Sequence, residues 1–198
     1  MKLSSEYYAA LKRTQRHHQA KQGKTFSGRF TWKQRHRIKA IIDRFAATSI
    51  CDYGCGWGKQ YTERDEQTGQ SLAEYWGVDP VKYDPGVPHF QLEPKGKYDL
   101  VLCVQVLGSI PTGDLPAIID RLYAHANKAI FVVERIGSVR KPIFEGMEEA
   151  MPHGQSLDWW LNMLARPGSS VRMIAAFHNQ DETTGWPGWR IEEPEDQG

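Results

Sequence analysis

The sequence predicts one α/β domain in which a mostly parallel sheet is covered by helices on both faces. Two observations carry that expectation. Residues 98–104 and 129–133 are apolar almost throughout, as strands buried on both faces must be. Between them lies a helical pattern over 114–126, with Leu115, Ile118, Ile119 and Leu122 at three- and four-residue spacing. Strands alternating with helices imply crossover connections and parallel neighbours. The chain has 198 residues, 40% hydrophobic and 25% charged, enough to bury a core without disulfide or metal staples.

The remaining elements follow in order. Residues 5–21 carry a weak helical pattern with Tyr7, Tyr8 and Leu11, and 21–28 read as a loop. Thr31 is a suitable cap for a second helix whose apolar face holds Trp32, Ile38, Ile41, Ile42 and Phe45. Residues 49–53 form a short strand stopped by Gly54, and 71–76 read as the end of a helix. A strand at 81–84 precedes a stretch with Pro85, Gly86, Pro88, Pro94 and Gly96, where no α-helix fits. After the strand at 129–133, closed by Glu134, residues 135–155 are irregular. Ser156 caps a helix with Trp159, Trp160 and Leu164; 171–177 form a late strand, and the acidic tail offers one edge strand.

Charge is unevenly distributed. Residues 1–44 hold 12 Lys/Arg against 2 Asp/Glu, whereas 45–198 hold 13 against 22. The expected division is therefore a basic helical extension over 1–46 and a main domain over 47–198, with the extension a possible nucleic-acid contact. Neither a membrane-length apolar run nor a signal-peptide pattern is present, and the three cysteines, Cys51, Cys55 and Cys103, suit buried reduced thiols. A cytoplasmic protein with no membrane partner is expected. Cys51 and Cys55 lack a second ligand pair, so no metal site is expected.

Ligands of such sheets gather beyond the carboxyl ends of the strands. The most informative segment there is Asp52-Tyr-Gly54-Cys55-Gly56-Trp-Gly58-Lys59. Alternate glycines after a strand permit backbone conformations and close approaches that side chains block. A dinucleotide fingerprint would need Gly where Lys59 stands. A phosphate-gripping loop would need Gly at Tyr53 and Ser or Thr at Gln60.

The acidic-x-Gly-x-Gly-x-Gly pattern resembles the cofactor turn of class I S-adenosylmethionine (SAM) dependent methyltransferases. Further segments follow in the same order: Tyr83-Asp84-Pro85-Gly86-Val87-Pro88, then 97–107, then Ile110-Pro111, His153 and Trp159-Trp160. Together they resemble a compact subgroup of phage and bacterial methyltransferases over about residues 48–162. The resemblance implies a Rossmann-like sheet, SAM as cofactor, and contacts from Asp52, Gly54, Cys55, Gly56 and Gly58. It also implies a carboxylate for the ribose hydroxyls. Asp84 matches the subgroup, and Asp79, 21 residues after Gly58, is the alternative. Only 14 residues separate Asp84 from Asp99, so the usual third strand is reduced or missing. Phe90 is then a candidate adenine wall, and Arg29 a candidate partner for the cofactor carboxylate.

On the substrate side, Gln105, Gly108 and Ser109 stand where the family carries an acidic residue and Glu-His. Gln105 retains hydrogen-bonding capacity toward the cofactor. His153, in a loop before the Trp159-Trp160 helix, is the first candidate for a general base, and Glu134 is the second. The position that carries Asn/Asp-Pro-Pro-aromatic in amino-directed DNA methyltransferases reads Cys103-Val-Gln105-Val, and no Pro precedes Cys103, so both DNA classes are disfavoured. A small-molecule, sugar or nucleotide acceptor is the leading reading. The alternatives are a SAM-binding protein without catalysis and a nucleic-acid-directed enzyme.

Overall fold

The computed structural model describes residues 2–21, 27–136, 145–179 and 189–192. Its centre is a six-stranded sheet in the order β2-β1-β3-β4-β5-β6. The strands are β1 (Ile50–Tyr53), β2 (Val81–Tyr83), β3 (Tyr98–Val104), β4 (Ala126–Ile136), β5 (Arg172–Asn179) and β6 (Trp189–Glu192). The first five run parallel, and β6 pairs antiparallel with β5 at the edge. The α/β, Rossmann-like expectation is met. Between β2 and β3 there is no strand, only a 3-10 turn at Pro88–Phe90, so the third strand of the usual fold is missing.

Side chains alternate along the strands and separate two cores. On one face, Val101, Cys103, Ile130, Val132, Ala175 and Phe177 pack beneath α1 (Ser5–Lys21), α5 (Leu115–His125) and α6 (Leu157–Leu164). On the other, Leu100, Leu102, Phe131, Val133 and Ile174 pack beneath α2 (Arg29–Lys33), α3 (Arg35–Phe45) and α4 (Leu72–Trp76). Because both faces are covered, the central strands are apolar at nearly every position.

Several local expectations are corrected. Thr31 does not cap the second helix: the helix starts at Arg29 after Gly28 (φ 72°), and Thr31 is buried within it. The segment then breaks at Gln34 into α2 and α3. Ser71 starts a helix instead of belonging to the end of one, because its hydroxyl and Glu74 form a reciprocal capping box. Strand β4 runs past Glu134 to Ile136, since pairing with β5 continues to Asn179. Ser156 does cap α6, accepting from the Trp159 amide at 3.2 Å.

The basic N-terminal helix α1 is docked onto the sheet domain. Leu3 and Tyr7 are buried in the first core, and Ser4 donates to both carboxylate oxygens of Asp114, at 2.8 and 2.5 Å. Near the other end, Gln15 donates to the Pro85 carbonyl at 3.0 Å. All three cysteines are buried and free of disulfides. Among the described residues, no helix is long and apolar enough to cross a membrane.

Candidate cofactor site

A cavity of about 560 Å³ lies between α1 and the carboxyl ends of β1 to β4. Its size suits a cofactor-sized ligand. Gly54, Gly56 and Gly58 all take positive φ, at 98°, 59° and 65°. At Gly54 the reason is steric as well as conformational: a Cβ there would stand 2.2 Å from Val106 Cγ2. The amides of Gly54 and Cys55 both donate to the Tyr83 carbonyl, at 2.7 and 3.0 Å, which ties the turn to the end of β2.

Asp84 follows β2 and is the single carboxylate among the described residues of the cavity wall. Its Oδ2 accepts from the Gly56 amide at 2.9 Å and its Oδ1 from the Gly86 amide at 2.8 Å. Each oxygen keeps a further lone pair for a ligand donor. Burial holds its carboxyl above the ordinary range; the Gly86 amide, nearby His18 and the Gly56 amide oppose that shift. Asp79 instead lies on the surface and pairs with Lys82 at 2.8 Å, away from the cavity.

Asp52 sits behind the turn, 1% exposed, rather than on the cavity wall. Its Oδ2 accepts from Tyr61 Oη at 2.7 Å and Gln60 Nε2 at 3.4 Å, whereas Oδ1 has no partner among the described residues. Burial pushes its pKa up to about 7. The folded chain therefore keeps a proton that the unfolded chain releases near 3.8. Relative to Asp52→Asn, the wild type should lose stability as pH rises from about 4 to about 7, and level off above. Urea unfolding of both proteins at pH 5 and pH 8 checks this; parallel pH profiles would refute it.

Cys55 lines the cavity, but burial pushes its thiol pKa up, so it contributes a neutral wall. Gln105 follows β3 with φ 60°, a strained value for a side-chain-bearing residue, and its amide donates to the Val133 carbonyl at 2.7 Å. Its Nε2 is buried on the cavity wall with no protein partner among the described residues. Arg29 lies exposed on the rim at the start of α2. Phe90 is not on the wall; its ring packs over Gly58, where a Cβ would meet it at 3.3 Å.

The two proposed base positions lie elsewhere. Glu134 is buried, 2% exposed, and off the cavity wall. His153 sits in the loop before α6, with its amide on the Met151 carbonyl at 2.8 Å, also off the wall. The Trp159-Trp160 pair is not on the wall of this cavity either. Trp160 is 1% exposed in the first core, and Trp159 meets it edge-on at 5.1 Å between ring centres.

Sequence reasoning missed the opposite wall. Tyr7, Leu11, Thr14, His17 and His18 of α1 line the cavity. Their spacing, together with Ala10, is a helical stripe, which was the available signal. His18 is buried and meets Trp57 edge-on at 5.8 Å; burial lowers its pKa, while Asp84 opposes that shift. Arg135, one residue past the assumed end of β4, was also missed.

The cavity fits the cofactor that the glycine turn implies: a bare backbone cradle, a carboxylate beside it, and an unpartnered buried amide at Gln105. No curated protein and no solved structure matches the chain. A family model described as a methyltransferase domain matches residues 30–193. The glycine turn, the sheet order and this match agree: the chain belongs to the methyltransferase domain family, and its activity is SAM-dependent methyl transfer.

Proposed function

We propose that the chain methylates a small molecule, with sugar- and nucleotide-type acceptors included in that class. One observation carries this reading: α1 closes over the strand ends, so the reacting centre lies in a recess between α1 and the sheet. Bound in that recess, SAM would supply an electrophilic methyl group to the acceptor, the sulfur leaving with the carbon–sulfur electron pair. In our reading, Asp84 takes the ribose hydroxyls, the Gly54–Gly56 backbone cradles the amino-acid end, and Gln105 Nε2 donates to the ligand. Proximity and orientation supply much of the rate of such an in-line displacement. Neither His153 nor Glu134 is needed for that part.

Methyl transfer from labelled SAM to matched panels of small acceptors, RNA and DNA tests the proposal. Transfer to a small acceptor supports it, and transfer confined to nucleic acid removes it. The nucleic-acid reading keeps one favourable observation, the exposed Lys12, Arg16 and Lys21 of α1. Salt-dependent binding of RNA or DNA would be its signature.

Arg29 is assigned here to the cofactor carboxylate. No carboxylate of the described residues lies within 4.0 Å of its guanidinium, and it stands at the rim. A charge-assisted pair contributes about 1.5–3 kcal/mol. Arg29→Ala should therefore weaken SAM binding by about 10–100-fold by calorimetry. Affinity retained within about twofold would remove the assignment.

A further inference from the structure

We infer that the methyl acceptor carries an anionic group, a carboxylate or a phosphate, and that Arg135 receives it. This rests on the methyltransferase reading of the cavity and goes beyond it by naming the acceptor's chemistry. The sheet order places the wall residues in sequence along the strand ends: Asp84 after β2, Gly54–Gly56 after β1, Gln105 after β3, and Arg135 next to last in β4. At about 4.8 Å per strand, Arg135 stands three steps, or about 14 Å, from the Asp84 end. A cofactor held at Asp84 and by the glycine turn would leave Gln105 and Arg135 for the far end of the cavity. In this inference the acceptor approaches at the next strand along, β4.

Arg135 differs from Arg29, the other arginine of the cavity wall, in being partly buried. It lines the cavity and is partly buried, yet no carboxylate of the described residues lies within 4.0 Å of it. Its Nε is buried without a hydrogen-bond acceptor among the described residues. The guanidinium carbon lies 4.6 Å from the centre of the Phe30 ring, a contact that leaves its charge in place. Its neighbour in sequence, Glu134, is buried on the alternate face of β4; its carboxylate makes no ion pair with the guanidinium and offsets through space only part of the cost of burying Arg135. Around it stand further positive or neutral groups: Lys33, whose Nζ lies 5.4 Å from the same Phe30 ring, and His178, opposite Arg135 on β5. A partly buried guanidinium with no carboxylate in contact is costly unless a ligand supplies one. Its planar donors suit a carboxylate or phosphate held by two hydrogen bonds.

The test uses the full chain saturated with S-adenosylhomocysteine (SAH), titrated at constant ionic strength with inorganic phosphate or with acetate. The Arg135 Nε–H resonance is read by NMR, assigned through its loss in Arg135→Lys. A saturable shift with at least one anion is expected, and the better anion indicates a phosphorylated or a carboxylated acceptor. In Arg135→Gln, anion binding read on nearby backbone amides should weaken at least about tenfold, with SAH affinity within about twofold of wild type. No saturable shift with either anion overturns the inference. So does an anion shift present in the cofactor-free chain and abolished by SAH, which would assign Arg135 to the cofactor carboxylate; an SAH affinity about tenfold lower in Arg135→Gln would mean the same. Should Arg135→Gln fail to fold, the wild-type titrations with and without SAH decide. Failure of SAH to bind the wild type at all would remove the methyltransferase reading itself, a result distinct from the others.

Discussion

Replacing Asp84 by Ala should weaken SAH binding by about 10²–10⁴-fold, since two charge-assisted hydrogen bonds to ribose hydroxyls contribute about 1.5–3 kcal/mol each. The same carboxylate also holds the Gly56 and Gly86 amides, so part of the loss would come from a slackened turn. Asp84→Asn separates the contributions: its amide oxygen can still accept one backbone hydrogen bond, but it carries no charge. Its affinity should fall between wild type and Asp84→Ala. Asp79→Ala is the matched control, since Asp79 pairs with Lys82 on the surface. An Asp79→Ala variant that loses affinity while Asp84→Ala retains it would reverse the assignment of the two carboxylates.

Gly54→Ala should both destabilise the fold and abolish cofactor binding. The backbone at φ 98° disfavours any side chain, and the new Cβ would stand 2.2 Å from Val106. Strain of this kind costs about 1–3 kcal/mol, and forcing a methyl into packed space costs about 1–3 kcal/mol more. Relief by moving Val106 would disturb the segment just after Gln105, which also lines the cavity. Denaturant unfolding reads the first effect, and SAH titration under native conditions reads the second. Wild-type stability in Gly54→Ala would mean that the turn does not hold the geometry described.

The parts of the fold legible in the sequence are those fixed by local chemistry. Tyr98–Val104 is apolar because both sheet faces are covered, and the glycines of the turn are needed because their backbone takes positive φ. The missing third strand follows from the short distance between Asp84 and Asp99, which no crossover can span. Less legible were features set by tertiary contact. Helix α1 reads as a basic extension because its inward stripe mixes Tyr7, Thr14, His17 and His18 with little aliphatic content. Only the docking at Asp114 and Pro85 shows which face turns inward. Ser71 was misread because the polar stretch before it hides the capping box with Glu74. Arg135 was passed over because the apolar run stops at Val133, whereas β4 is prolonged by backbone pairing with β5, which needs no apolar side chain.

The central claim is that the cavity between α1 and the glycine turn holds SAM and its product. Calorimetric titration of SAH into the full wild-type chain tests it most directly. The account predicts one saturable site per chain, with SAM competing for it. No heat of binding at millimolar SAH, by a protein shown to be folded, would contradict it.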